Sequence, residues 1–160
     1  MDVIERFIAQ HKAVKERLDI LEKITKMIDS DTSIWDNVHK MSGFFDKEVK
    51  EHFHLEEEVL FPIIRRKLPS DKQKILTEIE AEHKPILKKL DEFKEMSAKH
   101  KKLSSRISRE NFIKISMDII ESMITHANKE DEKLFPIAKE FLDFENYKEL
   151  EQLYFKYLNI

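Results

Sequence analysis

The sequence predicts an all-α protein: an up-down-up-down bundle of four long helices with a short fifth helix at the C-terminus. Three observations lead there. Apolar residues recur at spacings of three, four and seven along four long stretches, the period of a helix with one buried face. The chain of 160 residues has one glycine, Gly43, and four prolines, a poor supply for the tight turns of an all-β fold. Its hydrophobic fraction of 41% suffices for a core, and its length suits one domain, residues 1–160.

The elements follow in order. Ile4, Phe7, His11, Val14, Leu18, Leu21 and Ile28 form the stripe of the first helix, which the polar run from Asp29 to Ser33 ends. The second stripe is Trp35, Val38, Met41, Phe45, Val49, His52, Glu56, Val59 and Ile63, ending near Leu68-Pro69. Ser70 opens the third helix, with Gln73 as its capping-box partner. The third stripe is Leu76, Ile79, His83, Ile86, Leu90 and Phe93. The polar segment from Lys101 to Ser108 reads as the next turn. The fourth stripe is Phe112, Ile115, Ile119, Met123, His126, Glu130, Ile137 and Phe141. A final helix over about 146–158 is expected to start at Asn146, with Glu149 as box partner; its face of Tyr147, Leu150, Tyr154, Tyr157 and Leu158 suits capping the bundle's own end or a weak dimer contact. Pro62, Pro85 and Pro136 fall within helical patterns and are expected to kink them.

Composition excludes several functions. The 29 basic against 32 acidic residues leave no basic excess for nucleic acid. A single glycine rules out a P-loop or dinucleotide fingerprint. The absence of cysteine removes disulfides, thiolate metal sites and cysteine nucleophiles. No apolar run approaches ~20 residues and the N-terminus has no signal core, so the expectation is a cytoplasmic protein without a membrane partner.

The chain also repeats itself. His52-x-x-x-Glu56-Glu57-x-x-Leu60-Phe61-Pro62 matches His126-x-x-x-Glu130-Asp131-x-x-Leu134-Phe135-Pro136, and His11 with Leu18 matches His83 with Leu90. Repeat 1 covers about 2–68 and repeat 2 about 71–143, each one helical hairpin. His11 lies 17 residues before Ile28 and His52 lies 17 after Trp35, so both fall roughly 25 Å from the same turn at ~1.5 Å per residue. The second hairpin is laid out alike, which puts four histidines at one level. Glu56 and Glu130 follow His52 and His126 by one helical turn on the same faces.

Polar groups in place of core residues are costly unless something satisfies them. A lone core histidine is usually satisfied by a hydrogen bond. About 1.4 His-x-x-x-acid pairs arise by chance from 7 His and 32 acids in 160 residues, and three occur, His54 with Glu58 being the third. His54 lacks the Leu-Phe-Pro string and points ~200° away from His52, so it reads as solvated. His39 and His100 lack repeat partners and read as surface residues. The six remaining residues, His11, His52, Glu56, His83, His126 and Glu130, read together as a metal site. Six donors exceed one tetrahedral zinc. Two glutamates able to bridge and two histidines per metal suit a carboxylate-bridged pair of iron ions.

On these motifs the sequence resembles the hemerythrin-like family, the HHE cation-binding domain, over residues 11 to 136. The resemblance implies a four-helix bundle with two iron ions, joined by carboxylate and by an oxo or hydroxo bridge. It implies that His11 and His52 bind one iron, His83 and His126 the other, and that Glu56 and Glu130 bridge them. Respiratory hemerythrins carry a further histidine one turn after the third-helix histidine, where this chain has Leu87. Their last carboxylate is an aspartate five residues after its histidine; Asp131 stands there, but the repeat favours Glu130. The ferritin-like Glu-x-x-His pattern fits only at Glu80 and His83. The resulting expectation is a protein that binds dioxygen or a related small oxidant, such as nitric oxide or peroxide, for sensing, storage or redox defence, as a monomer or weak dimer. The alternatives are an enzyme that reduces peroxide or nitric oxide or supports iron–sulfur repair, and a metal-free or zinc-bound interaction bundle.

Overall fold

The computed structural model describes the backbone of residues 1–28, 34–99 and 106–159, all-helical with no strand among them. The break expected at residues 29–33 and His100 lie outside the described residues. Helix α1 is Val3–Lys26. Asp2 and Glu5 cap it reciprocally: each side chain accepts from the other's backbone N–H, at 2.9 and 3.0 Å. Helices α2 (Ile34–Phe44), α3 (Lys50–Leu55) and α4 (Phe61–Lys67) form one continuous helical stretch, joined by wide π-helical turns at Phe45–Val49 and Glu56–Leu60. A 3₁₀ turn, Ser70–Lys72, leads to α5 (Gln73–Ala81), then α6 (His83–Ala98). Helix α7 (Arg106–Lys129) passes through a π turn at Glu130–Leu134 into α8 (Phe135–Phe141), and α9 is Phe144–Tyr157. Helix α7 therefore begins within the Lys101–Ser108 stretch assigned to a turn, since the first turn of a helix accommodates polar residues well.

The three prolines act differently from simple kinks. Before Pro62 the helix widens, and the Phe61 N–H bonds the Glu56 carbonyl five residues back. Before Pro136 the Phe135 N–H bonds the Glu130 carbonyl in the same way. The extra residue in the turn makes room for a ring that would otherwise strike the carbonyl four residues back. At Pro85 the helix is interrupted instead: α5 ends at Ala81, the carbonyl a proline at 85 cannot serve, and Glu82 forms a turn before α6.

Two expected capping boxes are corrected. Ser70 makes no cap bond; the Gln73 amide nitrogen instead donates to the carbonyls of Arg65 and Leu68 at 2.7 and 2.9 Å, satisfying the end of α4. The last helix starts at Phe144 rather than Asn146, and its box is Asp143 with Asn146. The Asp143 side chain reaches the Asn146 N–H, leaving Glu149 free to pair with Arg66.

The chain divides into two units. The first comprises Met1–Lys12, Glu51–His83 and His126–Ile160. Its apolar core joins Ile4, Phe7, Leu60, Phe61, Leu134, Phe135, Leu150 and Tyr154, all 5% exposed or less. The apolar face of α9 is thus used inside this unit through Leu150 and Tyr154, while Tyr157 remains 38% exposed. The second unit comprises Ala13–Lys50 and Lys84–Thr125. Phe45, Phe93 and Phe112 centre its core, with Phe93 5.3 and 5.4 Å from the other two rings. No helix among the described residues is long and apolar enough to cross a membrane.

Candidate metal centre

All six stripe residues singled out by the sequence lie in the first unit and converge. His11, His52, Glu56 and Glu130 each offer one donor atom, all within 4.8 Å of one another. Glu56, His83, His126 and Glu130 do the same. The two groups share both glutamates. The four histidines are 1–6% exposed and the two glutamates 0%.

Each histidine is gripped on its outer nitrogen. His11 Nδ1 meets Asp131 Oδ1 at 2.7 Å, and His52 Nδ1 meets Gln10 Oε1 at 2.6 Å. His83 Nδ1 meets Glu57 Oε1 at 2.8 Å, and His126 Nδ1 meets Glu82 Oε1 at 2.9 Å. An oxygen at Nδ1 accepts the ring hydrogen there, which leaves the Nε2 lone pair facing inward. Helical geometry dictates this arrangement. Glu57 and Asp131 directly follow Glu56 and Glu130, and each reaches the histidine that opens the other repeat. Gln10 and Glu82 directly precede His11 and His83, and each reaches the second histidine of its own repeat.

Aromatic rings fix the imidazole planes. Phe53 stacks on His83 with centroids 4.0 Å apart and planes 8° apart. Phe61 stacks on His83 at 5.7 Å, and its repeat partner Phe135 stacks on His11 at 5.8 Å. The phenylalanine of each Leu-Phe-Pro string therefore packs on a histidine from the other repeat. Phe7 meets His52 edge-on at 5.2 Å.

The inward atoms face one another at close range. His11 Nε2 is 3.1 Å from His52 Nε2. His83 Nε2 is 3.2 Å from Glu56 Oε1, and His126 Nε2 is 2.9 Å from Glu130 Oε1. Both oxygens of Glu56, both of Glu130, and the Nε2 atoms of His83 and His126 are buried with no hydrogen-bond partner. Burying two carboxylates against lone pairs costs several kcal/mol unless a cation sits among them. The donor set of imidazole nitrogen and carboxylate oxygen fits a divalent transition metal.

Titration follows the same geometry. Burial pushes His52 well below the usual imidazole range, and His11, His83 and His126 add to this by charge repulsion. Burial, reinforced by His83, pushes His126 down to about 4, against the pull of Glu82. Burial also raises Glu56, although His83 opposes it. Burial acts to lower His83, but Glu56 and Glu57 outweigh it and raise that histidine. A proton on His83 Nε2 would point at Glu56, standing where a cation would bridge them. Glu82 lies low because Lys129 and His126 together overcome its burial.

The profile of the hemerythrin HHE cation-binding domain matches residues 2–138. The chain belongs to this family. Comparison with curated proteins and with solved structures returned no match. Membership and buried donor groups together make this hemerythrin-like chain a metal-binding helical protein.

The remaining residues fall into place around the hemerythrin-like site. His54 and Glu58 are exposed, and His39 is exposed with its Nδ1 2.9 Å from Ser97 Oγ. Glu80 pairs with Arg65 at 3.1 Å and takes no part in either donor group. Glu130 faces inward, while Asp131 holds His11. Leu87 is half-buried. Sequence reasoning missed Gln10 and Glu82. The signal was available: each immediately precedes the first histidine of its repeat, so the two occupy matching positions.

Proposed function

We propose that this protein holds two iron ions and binds dioxygen or a related small oxidant, such as nitric oxide or peroxide. The observation that carries this reading is the sharing of Glu56 and Glu130 between two four-donor groups, each completed by its own pair of histidines. His11 and His52 serve one metal, and His83 and His126 the other. A pair of ferrous ions, when bound, supplies the electrons that such a ligand takes up.

The chain's own residues do the rest. The Nδ1 partners hold each imidazole in the tautomer that presents Nε2 inward. The carboxylates of Glu56 and Glu130 supply two negative charges that balance part of the metal charge. Phe7, Phe53, Phe61 and Phe135 exclude water from the imidazoles and strengthen every electrostatic interaction among them. Two histidines per metal leave places that solvent or a small oxidant can occupy. That favours sensing or redox defence over simple oxygen storage.

We also propose one domain over residues 1–160, built from duplicated hairpins in an up-down bundle. The paired roles of Glu57 and Asp131, and of Phe61 and Phe135, support the duplication.

Reconstitution with ferrous iron under anaerobic conditions, followed by exposure to dioxygen, tests the function. The expected result is a new near-ultraviolet and visible absorption that depends on both metal and dioxygen. An iron-loaded protein whose spectrum is indifferent to dioxygen, nitric oxide and peroxide would overturn it. Repeated turnover with an added reductant would mark it as an enzyme rather than a binder.

A further inference from the structure

The four histidines are not held alike. Three Nδ1 hydrogens end on a carboxylate, those of Asp131, Glu57 and Glu82. The fourth, on His52, ends on the side-chain amide of Gln10. A carboxylate only accepts, so it locks the tautomer and its charge strengthens the imidazole as a ligand. An amide is neutral and carries both a donor and an acceptor, so it can serve His52 in either tautomer.

The inner nitrogens show the same difference. His83 Nε2 and His126 Nε2 have no hydrogen-bond partner at all. His11 Nε2 and His52 Nε2 lie 3.1 Å apart, a hydrogen-bond distance. Asp131 holds the hydrogen of His11 on Nδ1, so His11 Nε2 is an acceptor. If the Gln10 amide turns over, its nitrogen donates to His52 Nδ1, and His52 Nε2–H donates to His11. The His11–His52 pair thus has a ring-to-ring hydrogen bond open to it without metal; His83 and His126 have none between them.

What opposes that turn is Tyr154. The Gln10 amide nitrogen donates to the Tyr154 hydroxyl at 3.4 Å, which aims the amide oxygen at His52. Tyr154 is 5% exposed and fixed edge-on against Phe7, with centroids 6.2 Å apart. It belongs to α9, beyond residue 138 where the family match ends.

We infer that the two metal positions are unequal: the one served by His83 and His126 fills first, the one served by His11 and His52 fills second, and Gln10, aimed by Tyr154, sets the difference. Gln10 and Tyr154 are positioning residues, since neither offers an atom to the metal. Two physical effects act together. The amide lends His52 less charge than Glu82 lends His126. Where the Gln10 amide has turned over, filling the second position must also forgo the His11–His52 hydrogen bond. The inference rests on the two-metal reading above.

Cobalt(II) titration of the metal-free full chain, followed by calorimetry and by the visible bands of bound cobalt, tests it. Two steps of one equivalent each are expected, the second at least ~10-fold weaker. Gln10→Glu, which copies Glu82, should tighten the second step by roughly 10–100-fold and leave the first unmoved. Glu82→Gln should weaken the first step by a similar factor and leave the second unmoved. Tyr154→Phe should weaken only the second. Two unresolved equivalents in the native chain would overturn the inference and leave the two-metal reading standing. So would two steps that both variants move equally or not at all. Failure of the native chain and all variants to bind cobalt would remove the two-metal reading and the inference with it.

Discussion

Acid will destabilise the metal-free protein through His126, and the size of the effect can be worked out. The ordinary imidazole value is 6.5; burial and the neighbouring His83 push His126 down to about 4 in the folded protein. Between these values the unfolded chain carries a proton that the folded one refuses, so stability falls as pH falls. The contribution is fully present above 6.5 and lost as pH drops through about 4. A gap of about 2.5 units at 1.36 kcal/mol each is about 3 kcal/mol. His52, also depressed, acts in the same direction. His83 has the opposite sign, but its raised value places its window above 6.5, where stability is lost as pH rises. Glu56, raised by burial, opposes His126 from 4.5 upward. Comparison with His126→Asn isolates the one residue, because asparagine can still donate to Glu82 but does not titrate. Urea unfolding of both chelated proteins, followed by helical circular dichroism at pH 7, 6, 5 and 4, is the assay. The stability difference between them should shift by about 3 kcal/mol in favour of the variant over that range. A difference that stays flat would mean that His126 titrates alike in folded and unfolded chains, against this expectation.

Two other outcomes are expected. His54→Ala should leave metal content unchanged because His54 is exposed, whereas His52→Ala should remove one metal position; equal losses measured by elemental analysis would contradict the site. Phe53→Ala deletes the ring stacked 4.0 Å from His83 and should cost about 3–5 kcal/mol in urea unfolding of the metal-free protein.

The six donors were legible because polar residues stood where the helical period demands apolar ones. Of the residues in the four stripes, Phe7, Met41, Phe45, Leu76, Phe93 and Phe112 are all buried, as the period requires. Gln10 and Glu82 escaped notice for the same geometric reason. A residue next to a stripe position lies ~100° around the helix, where solvent is the default reading. Only their matching places before His11 and His83 distinguish them from surface residues. The prolines were read from what they remove, a donor, and not from how a neighbouring turn can widen to take the ring. The capping boxes at Ser70 and Asn146 failed because local spacing alone cannot tell which competitor wins. Gln73 found the open carbonyls of α4, a tertiary partner that no four-residue pattern contains.

One buried centre should hold two metals through shared glutamates. The decisive measurement is the count of iron per chain after anaerobic reconstitution, in the native protein and in Glu56→Gln. Two irons per chain are predicted for the native protein. The variant, which replaces a shared carboxylate by a neutral amide, should bind iron more weakly at both positions. One iron per chain in the native protein, or a variant that retains two with undiminished affinity, would contradict the account.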